Sequence, residues 1–367
     1  MRLRREHGIT AALGVSAVLA FIDLQWSYTL HYKLPQPDFY VYYLAAQLGR
    51  VRGWAAIYDP AVFLPPVTMA VGKPLPYLNP PELAWLVMPL SYLPYTLAGW
   101  IWTCLLAAAL GLIWYLVAPG RGLLRLILGV GAAALLPVFV GVLFGQVSLL
   151  VVAAVALSWW FLSTGRPWLA GLALSALILK PQIAFLVPVA FVLSGYGRVV
   201  LAWLAVSVPL AIITLLAVGT AVFHHISQSL QSVSAVPGPI QSSLLRQLPF
   251  PLAVIGIVLV LAVSALILWR GRGSGPSLPI AVGLISSTLV SPYVNFYDLS
   301  ALVLAGWLIL RLDRPRWQKA VTLAMYVPLY GAPIWPVFTL FCLCGWLVSL
   351  AALNPLTRAL ASQRAAA

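Results

Sequence analysis

The sequence predicts an all-α fold, a polytopic helical membrane protein with about twelve transmembrane helices. Hydrophobic residues make up 62% of the 367 residues and charged residues only 8%. The mean hydropathy is +1.00, far above that of a soluble domain. Many separate apolar runs approach the length of about 20 residues that a helix needs to cross the hydrocarbon core. With no internal repeat, residues 1–367 are predicted to form a single integral-membrane domain.

The first predicted span covers residues 9–27 and follows three arginines, with no small-residue cleavage site after it. Further spans are predicted near 94–117, 122–142, 146–163, 167–179, 182–195, 198–219, 249–270, 277–291, 297–311, 318–330 and 335–352. Most Lys and Arg residues then fall in short loops on one side, which the positive-inside rule assigns to the cytoplasm. We therefore expect a multi-pass protein of the plasma membrane with both termini in the cytoplasm.

Two long segments, 28–93 and 220–248, are predicted to lie outside the cytoplasm. In the first, residues 39–51 form an amphipathic, tyrosine-rich stretch that favours a helix in the membrane interface. A turn is expected at Asp59, before Pro60. A helix is expected to begin near Glu82, whose charge would complement its N-terminus.

Charge and cysteine content exclude some classes. The net charge of +14 is dispersed between the spans, so it predicts no nucleic-acid partner. Cys104, Cys342 and Cys344 lie in apolar runs, where core packing is the simplest role. The lipid bilayer is the predicted surrounding.

Asp38 is the leading candidate for a catalytic residue. It is one of only seven acidic residues and follows the first span in the run Pro-Gln-Pro-Asp-Phe-Tyr. An ionisable group this close to the bilayer is a functional-site hypothesis by default. The alternative is that Asp38, directly after Pro37, only complements the dipole of the helix that follows.

A series of short motifs resembles glycosyltransferase family 87 in order and spacing. These motifs occupy residues 38–46, 57–60, 77–82, 88–94, 145–148, 171–182, 291–293 and 297–298. The resemblance implies a C-type membrane glycosyltransferase fold. It also implies a polyprenyl-phosphate sugar donor, most often carrying mannose, and transfer at the extracytoplasmic face. Enzymes of this type place an acidic residue in the first outer loop near the reaction centre, which matches the position of Asp38.

Inverting transfer from such a donor needs a base for the acceptor hydroxyl and cationic or hydrogen-bonding groups for the leaving phosphate. Asp38 is the predicted base. The predicted donor-phosphate ligands are Lys180, Gln182, Arg246, His224 and His225. Two alternatives stay open: Lys180 could be a lysine snorkelling at a span end, and the histidines could be a solvated loop pair.

Five further residues are candidates for substrate binding: Tyr42, Tyr58, Asp59, Tyr297 and Asp298. The tyrosines could stack on sugar rings, or belong to interfacial belts and packing. Asp298 could order the site, but an acid at a helix N-terminus explains it equally well.

No cofactor is predicted; a divalent metal stays possible, but the outer acids are too scattered to argue for a metal cluster. The expected partners are a polyprenyl-phosphate sugar donor and a lipid or glycan acceptor. A transporter or flippase of a lipid-linked sugar is the main alternative function, and it predicts a midplane pathway between inverted repeats. A non-catalytic membrane scaffold is the third possibility, and it would not require Asp38, Lys180 and Asp298 to meet at one face.

Overall fold

The computed structural model describes residues 33–220 and 243–352, together with single residues at 15, 19 and 22. All regular structure in these ranges is helical, as predicted. The predicted first span and most of the segment 220–248 lie outside the described residues.

The α-helices vary widely in length. In chain order they are α1 (Pro37–Arg52), α2 (Pro60–Val71), α3 (Pro81–Val87), α4 (Tyr95–Val117), α5 (Leu123–Ala133), α6 (Leu136–Phe144), α7 (Ser148–Ser163), α8 (Pro167–Leu174), α9 (Leu186–Leu193), α10 (Gly197–Val218), α11 (Leu244–Gln247), α12 (Phe250–Arg270), α13 (Ser277–Val290), α14 (Ala301–Arg311), α15 (Arg316–Ala324), α16 (Tyr326–Tyr330) and α17 (Pro336–Ser349). Short 3₁₀ segments cover Trp54–Tyr58, Met88–Tyr92, Ser175–Leu179, Pro181–Ile183 and Phe296–Ser300.

By length and composition, three helices of the described chain can cross a membrane: α4, α10 and α12. Helices α5 and α6 would add a fourth span if the pair, bent by 56°, counts as one. Every predicted span from residue 94 onward contains a helix, but most of these helices are shorter than the roughly 20 residues of a full span. The membrane character is supported, whereas the count of about twelve stays a prediction.

Prolines account for two of the breaks that shorten the helices. Pro137 lies in the first turn of α6, just after its break from α5, and Pro181 begins a 3₁₀ turn directly after Lys180. Proline has no backbone N–H, so a continuous helical ladder cannot run through it. Within a membrane, irregular backbone is tolerated where it is buried in protein. These breaks bring polar side chains into an otherwise apolar bundle.

Helix α1 forms where the amphipathic stretch predicted it, but it is more enclosed than an interfacial helix needs to be. Pro37 occupies its first turn, and the chain leaves it at Gly53. Phe39, Tyr42 and several neighbours are buried around its circumference, rather than along one face. The reason is packing on several sides, by α3, α4 and the 3₁₀ segments that follow α1 and α3. Its interfacial position stays a prediction.

Helix α1 is held against the α6–α7 turn by a glycine. Gly145 has φ 74°, and a Cβ added there would lie 2.5 Å from Cβ of Phe39. The Trp102 indole N–H donates to the Gly145 carbonyl at 2.8 Å, and its ring stacks on Phe39 with centroids 5.1 Å apart. Because Asp38 precedes Phe39 and Gln146 follows Gly145, this packing sets two polar side chains next to each other.

Replacing Gly145 tests how much this approach contributes. Gly145→Ala should lower the thermal unfolding temperature of the purified protein more than Gly165→Ala does. Gly165 has nearly the same φ, 75°, but no atom within 4 Å of an added Cβ, so it reports the backbone cost alone. That cost is about 1–2 kcal/mol, and contact with Phe39 adds to it. Equal losses in the two variants would show that the approach is not tight.

Candidate active site

Lys180 is the centre of a buried polar cluster. The residue is 3% exposed, and its ammonium group donates three hydrogen bonds: to Asp298 Oδ1 at 2.5 Å, to Gln146 Oε1 at 2.7 Å and to Ser148 Oγ at 3.1 Å. A buried ammonium is tolerated when its hydrogens and its charge are matched in this way. The snorkelling interpretation of Lys180 is therefore wrong. Its predicted phosphate contact stays a prediction, with all three N–H groups donated to protein acceptors in this structure.

Asp298 serves two purposes with its two carboxylate oxygens. Oδ1 accepts from Lys180 and from the Ser148 hydroxyl, the latter at 2.8 Å. Oδ2 accepts from the backbone N–H of Asn295 at 3.2 Å, within a capping box that begins the 3₁₀ segment Phe296–Ser300. The helix-terminal role suggested by the sequence is confirmed, and the same side chain neutralises Lys180.

Gln146 connects Lys180 to Asp38. Its Oε1 accepts from the Lys180 ammonium and from the Tyr42 hydroxyl, at 2.7 and 3.0 Å. Only an amide oxygen can accept from these two donors, which fixes the orientation of the amide group. Nε2 then donates to Asp38 Oδ2 at 2.5 Å. The amide thus holds the Asp38 carboxylate at a defined position.

The pKa of Asp38 is raised to about 6, because burial disfavours its charged form. The hydrogen bond from Gln146 and the charge of Lys180 oppose the rise, while the charge of Asp298 adds to it. As a residue, Asp38 is half-buried, whereas Asp298 is 2% exposed. Asp38 is therefore the acid of this cluster that a hydroxyl group from outside could reach.

A tyrosine pair lies beside the cluster, joined by Asn295. The Asn295 amide N–H groups donate to the hydroxyl oxygens of Tyr293 and Tyr297, at 2.9 and 2.5 Å. The Tyr297 ring lies 5.1 Å from the Lys180 ammonium, within cation–π range. Tyr297 is buried, while Tyr293 is half-buried.

Arg246 lies at the edge of this region. Its Nε–H donates to the Pro292 carbonyl at 3.3 Å. Pro292 directly precedes Tyr293, whose pKa is raised by burial and by the charge of Asp298 and lowered by the Arg246 charge. This neighbourhood suits a cation that contacts an anionic substrate.

The other predicted phosphate ligands are less defined. Gln182 is half-buried in the 3₁₀ turn Pro181–Ile183, two residues after Lys180. His224 and His225 lie outside the described residues.

The remaining substrate-binding candidates have structural roles here. Tyr42 is buried and belongs to the cluster through its bond to Gln146. The Tyr58 hydroxyl donates to the Asn79 carbonyl at 2.8 Å. Asp59 caps α2 by accepting from the backbone N–H of Ala61 at 2.9 Å. These hydrogen bonds of Tyr58 and Asp59 involve no member of the Lys180 cluster.

Glu82 also has a structural explanation. It lies in the first turn of α3, as predicted, and it is buried. Its Oε1 accepts a hydrogen bond from the hydroxyl of Thr214 in α10. This contact ties α3 to α10, a helix long and apolar enough to cross a membrane.

Sequence analysis missed Gln146, Ser148, Asn295 and Tyr293 as site residues. The available signal was the pair of polar residues in Gly-Gln-Val-Ser, at the junction of two apolar runs. Within the described chain, no group of three or more His, Cys, Asp or Glu side chains is arranged to hold a metal ion.

Removing one partner of the buried ion pair should be strongly destabilising. Lys180→Met leaves the Asp298 carboxylate buried without its cation, at a cost of about 3–5 kcal/mol. The double variant Lys180→Met with Asp298→Asn removes both charges and should recover part of this loss. Thermal unfolding of the two single variants and the double variant measures the coupling. Additive losses would contradict a direct ion pair.

Searches of curated proteins and of solved structures each found no match. The model of glycosyltransferase family 87 matches residues 77–292, more than half of the 367 residues. The matched segment includes Gln146, Ser148, Lys180 and Arg246, whereas Asp38 lies before it and Asp298 just after it. The family identifies a glycosyltransferase, and the apolar helices are those of a membrane protein. The chain belongs to glycosyltransferase family 87.

Proposed function

We infer that this protein transfers a hexose from a polyprenyl-phosphate sugar to a lipid or glycan acceptor, with inversion. Mannose is the sugar that the family resemblance suggests. The observation that carries the proposal is the carboxylate of the half-buried Asp38, held by Gln146 beside a buried ion pair. A polyprenyl donor also suits a protein with several membrane-spanning helices.

In this mechanism, Asp38 is the general base. The acceptor hydroxyl oxygen forms a bond to the anomeric carbon while the bond from that carbon to the phosphate oxygen breaks. The bonding electron pair leaves with the polyprenyl phosphate, and the hydroxyl proton passes to Asp38. A carboxylate with a pKa of about 6 is ionised at neutral pH and still accepts a proton readily.

The positive groups divide into two roles under the proposal. Lys180 organises the cluster, because its hydrogens are donated to Asp298, Gln146 and Ser148. Arg246, beside Tyr293 at the edge of the region, contacts the donor phosphate. Gln182, His224 and His225 remain candidates for the same phosphate.

The proposed setting is the extracytoplasmic face of the plasma membrane, with the termini in the cytoplasm and a C-type fold of about twelve spans. The orientation follows from the distribution of Lys and Arg along the sequence, and the C-type fold is what the family resemblance implies. Family membership favours transfer over the alternative of a transporter or flippase.

A transfer assay tests the reaction. Wild-type protein in nanodiscs should move mannose from a synthetic polyprenyl-phosphate mannose to at least one of a panel of lipid acceptors. Asp38→Asn should lose about 10²–10⁴-fold in rate, the usual contribution of a general base. Asp313→Asn, at an exposed acid between α14 and α15, serves as the matched control. A folded Asp38→Asn protein with near-normal turnover would exclude the base role. Lipid movement across a bilayer without transfer would favour the flippase.

The pH dependence tests the contact between Gln146 and Asp38. Ionised Asp38 is the active form, so the rate should rise with pH through about 6 and level off above it. Gln146→Met removes a hydrogen bond that lowers the pKa of Asp38, so the rise should move to higher pH.

The control for this profile is Gln47→Met, on α1, the helix that carries Asp38; the Gln47 amide donates instead to the Ser91 carbonyl at 3.3 Å. Its profile should match that of the wild type. An unchanged profile in Gln146→Met would mean that Gln146 does not act on the base.

A further inference from the structure

The hydroxyl groups of Tyr293 and Tyr297, beside Lys180, accept hydrogen bonds but donate none within the described residues. A tyrosine hydroxyl can donate one hydrogen bond and also accept others. Both Tyr293 and Tyr297 accept from the Asn295 amide, at 2.9 and 2.5 Å. Within residues 33–220 and 243–352, no atom accepts a hydrogen bond from either hydroxyl.

The orientation of Asn295 is not arbitrary. Its side-chain oxygen accepts from the backbone N–H of Asp298 in the capping box. The amide nitrogen must therefore point the other way, toward the two tyrosines. Because each N–H occupies a lone pair on a hydroxyl oxygen, each tyrosine keeps its own proton for another acceptor.

The surroundings indicate what that acceptor is. Burial raises the pKa of Tyr293, the charges of Asp298 and Asp38 raise it further, and Arg246 lowers it. The Tyr293 hydroxyl thus lies within electrostatic reach of the base and of a guanidinium, and it stays protonated at neutral pH. Two O–H donors near one cation and one base suit an oxygen that gains negative charge.

We propose that Tyr293 and Tyr297, held by Asn295, are a pair of hydrogen-bond donors for the phosphate of the polyprenyl product. This inference rests on the proposed function. As the bond from the anomeric carbon to the phosphate oxygen breaks, the phosphate gains one negative charge. The tyrosines donate hydrogen bonds to its oxygens without transferring protons, while the acceptor proton goes to Asp38. Removing either hydroxyl therefore weakens binding of the phosphate product.

Product binding tests the proposal without depending on an acceptor. The full chain in detergent is titrated with farnesyl phosphate and, separately, with farnesol, which lacks the phosphate. Wild-type protein should bind the phosphate more tightly than the alcohol. Tyr293→Phe and Tyr297→Phe should each weaken farnesyl phosphate binding by about tenfold or more, as expected for hydrogen bonds to a charged group. Farnesol binding should be unchanged in both variants.

The outcomes distinguish a failure of the proposed polyprenyl-phosphate donor from a failure of the proposed role of the tyrosine pair. If wild-type protein binds the phosphate no better than farnesol, the polyprenyl-phosphate donor of the proposed function is wrong. If it does prefer the phosphate but both phenylalanine variants, and their combination, bind it as the wild type does, the tyrosine pair is not the donor set. Equal weakening toward both ligands would indicate a packing defect and would also overturn it. Tyr115→Phe, an exposed tyrosine near the opposite end of α4 from Tyr95, is the matched control.

Discussion

The burial of one ammonium group constrains the centre of this structure. Removing the Lys180 side chain from water costs several kcal/mol unless each of its hydrogens finds an acceptor and its charge finds a counter-ion. Those acceptors come from two separate parts of the chain: Gln146 and Ser148 from the turn that begins α7, and Asp298 from the 3₁₀ segment before α14; Lys180 itself lies in a third, between two 3₁₀ segments. The three segments must therefore meet in one arrangement.

The same constraint reaches Asp38 through a single amide. Because Gln146 presents its oxygen to Lys180, its nitrogen faces α1 and the Asp38 carboxylate. The tight approach of Gly145 to Phe39 brings the two backbones close enough for this contact. A polar network whose members are all satisfied is rigid, and rigidity is what a positioned base requires.

Much of the fold follows from the sequence because apolar runs and prolines are local signals. Each predicted span from residue 94 onward contains a helix, and α1 forms within a residue or two of the stretch that predicted it. The enclosure of α1 could not be predicted, since it depends on α3 and α4 packing around it. The charged members of the site were also accessible to sequence analysis: an acid or lysine is rare enough in so apolar a chain to attract attention. Asp38, Lys180 and Asp298 stand out in the sequence for that reason.

The uncharged members were not accessible in the same way. Gln146 matters because it contacts Asp38, more than a hundred residues away, and the local motif Gly-Gln-Val-Ser does not name that partner. Asn295 forms its hydrogen bonds with residues within three positions, but a capping pattern does not show that its amide also reaches two tyrosine hydroxyls. For Tyr42, the sequence position near Asp38 suggests stacking on a sugar. In the structure its ring is buried, and its hydroxyl donates a hydrogen bond to Gln146.

The net charge of the cluster formed by Asp38, Lys180 and Asp298 changes during the proposed reaction. Before transfer, two carboxylates and one ammonium give a net charge of about −1. When Asp38 takes the acceptor proton, the three side chains become electroneutral. The departing phosphate acquires its additional negative charge in the same step. The electrostatic repulsion between the cluster and the polyprenyl phosphate thus weakens as that phosphate becomes more anionic. The repulsion returns when Asp38 loses the proton again, and it then favours release of the polyprenyl phosphate.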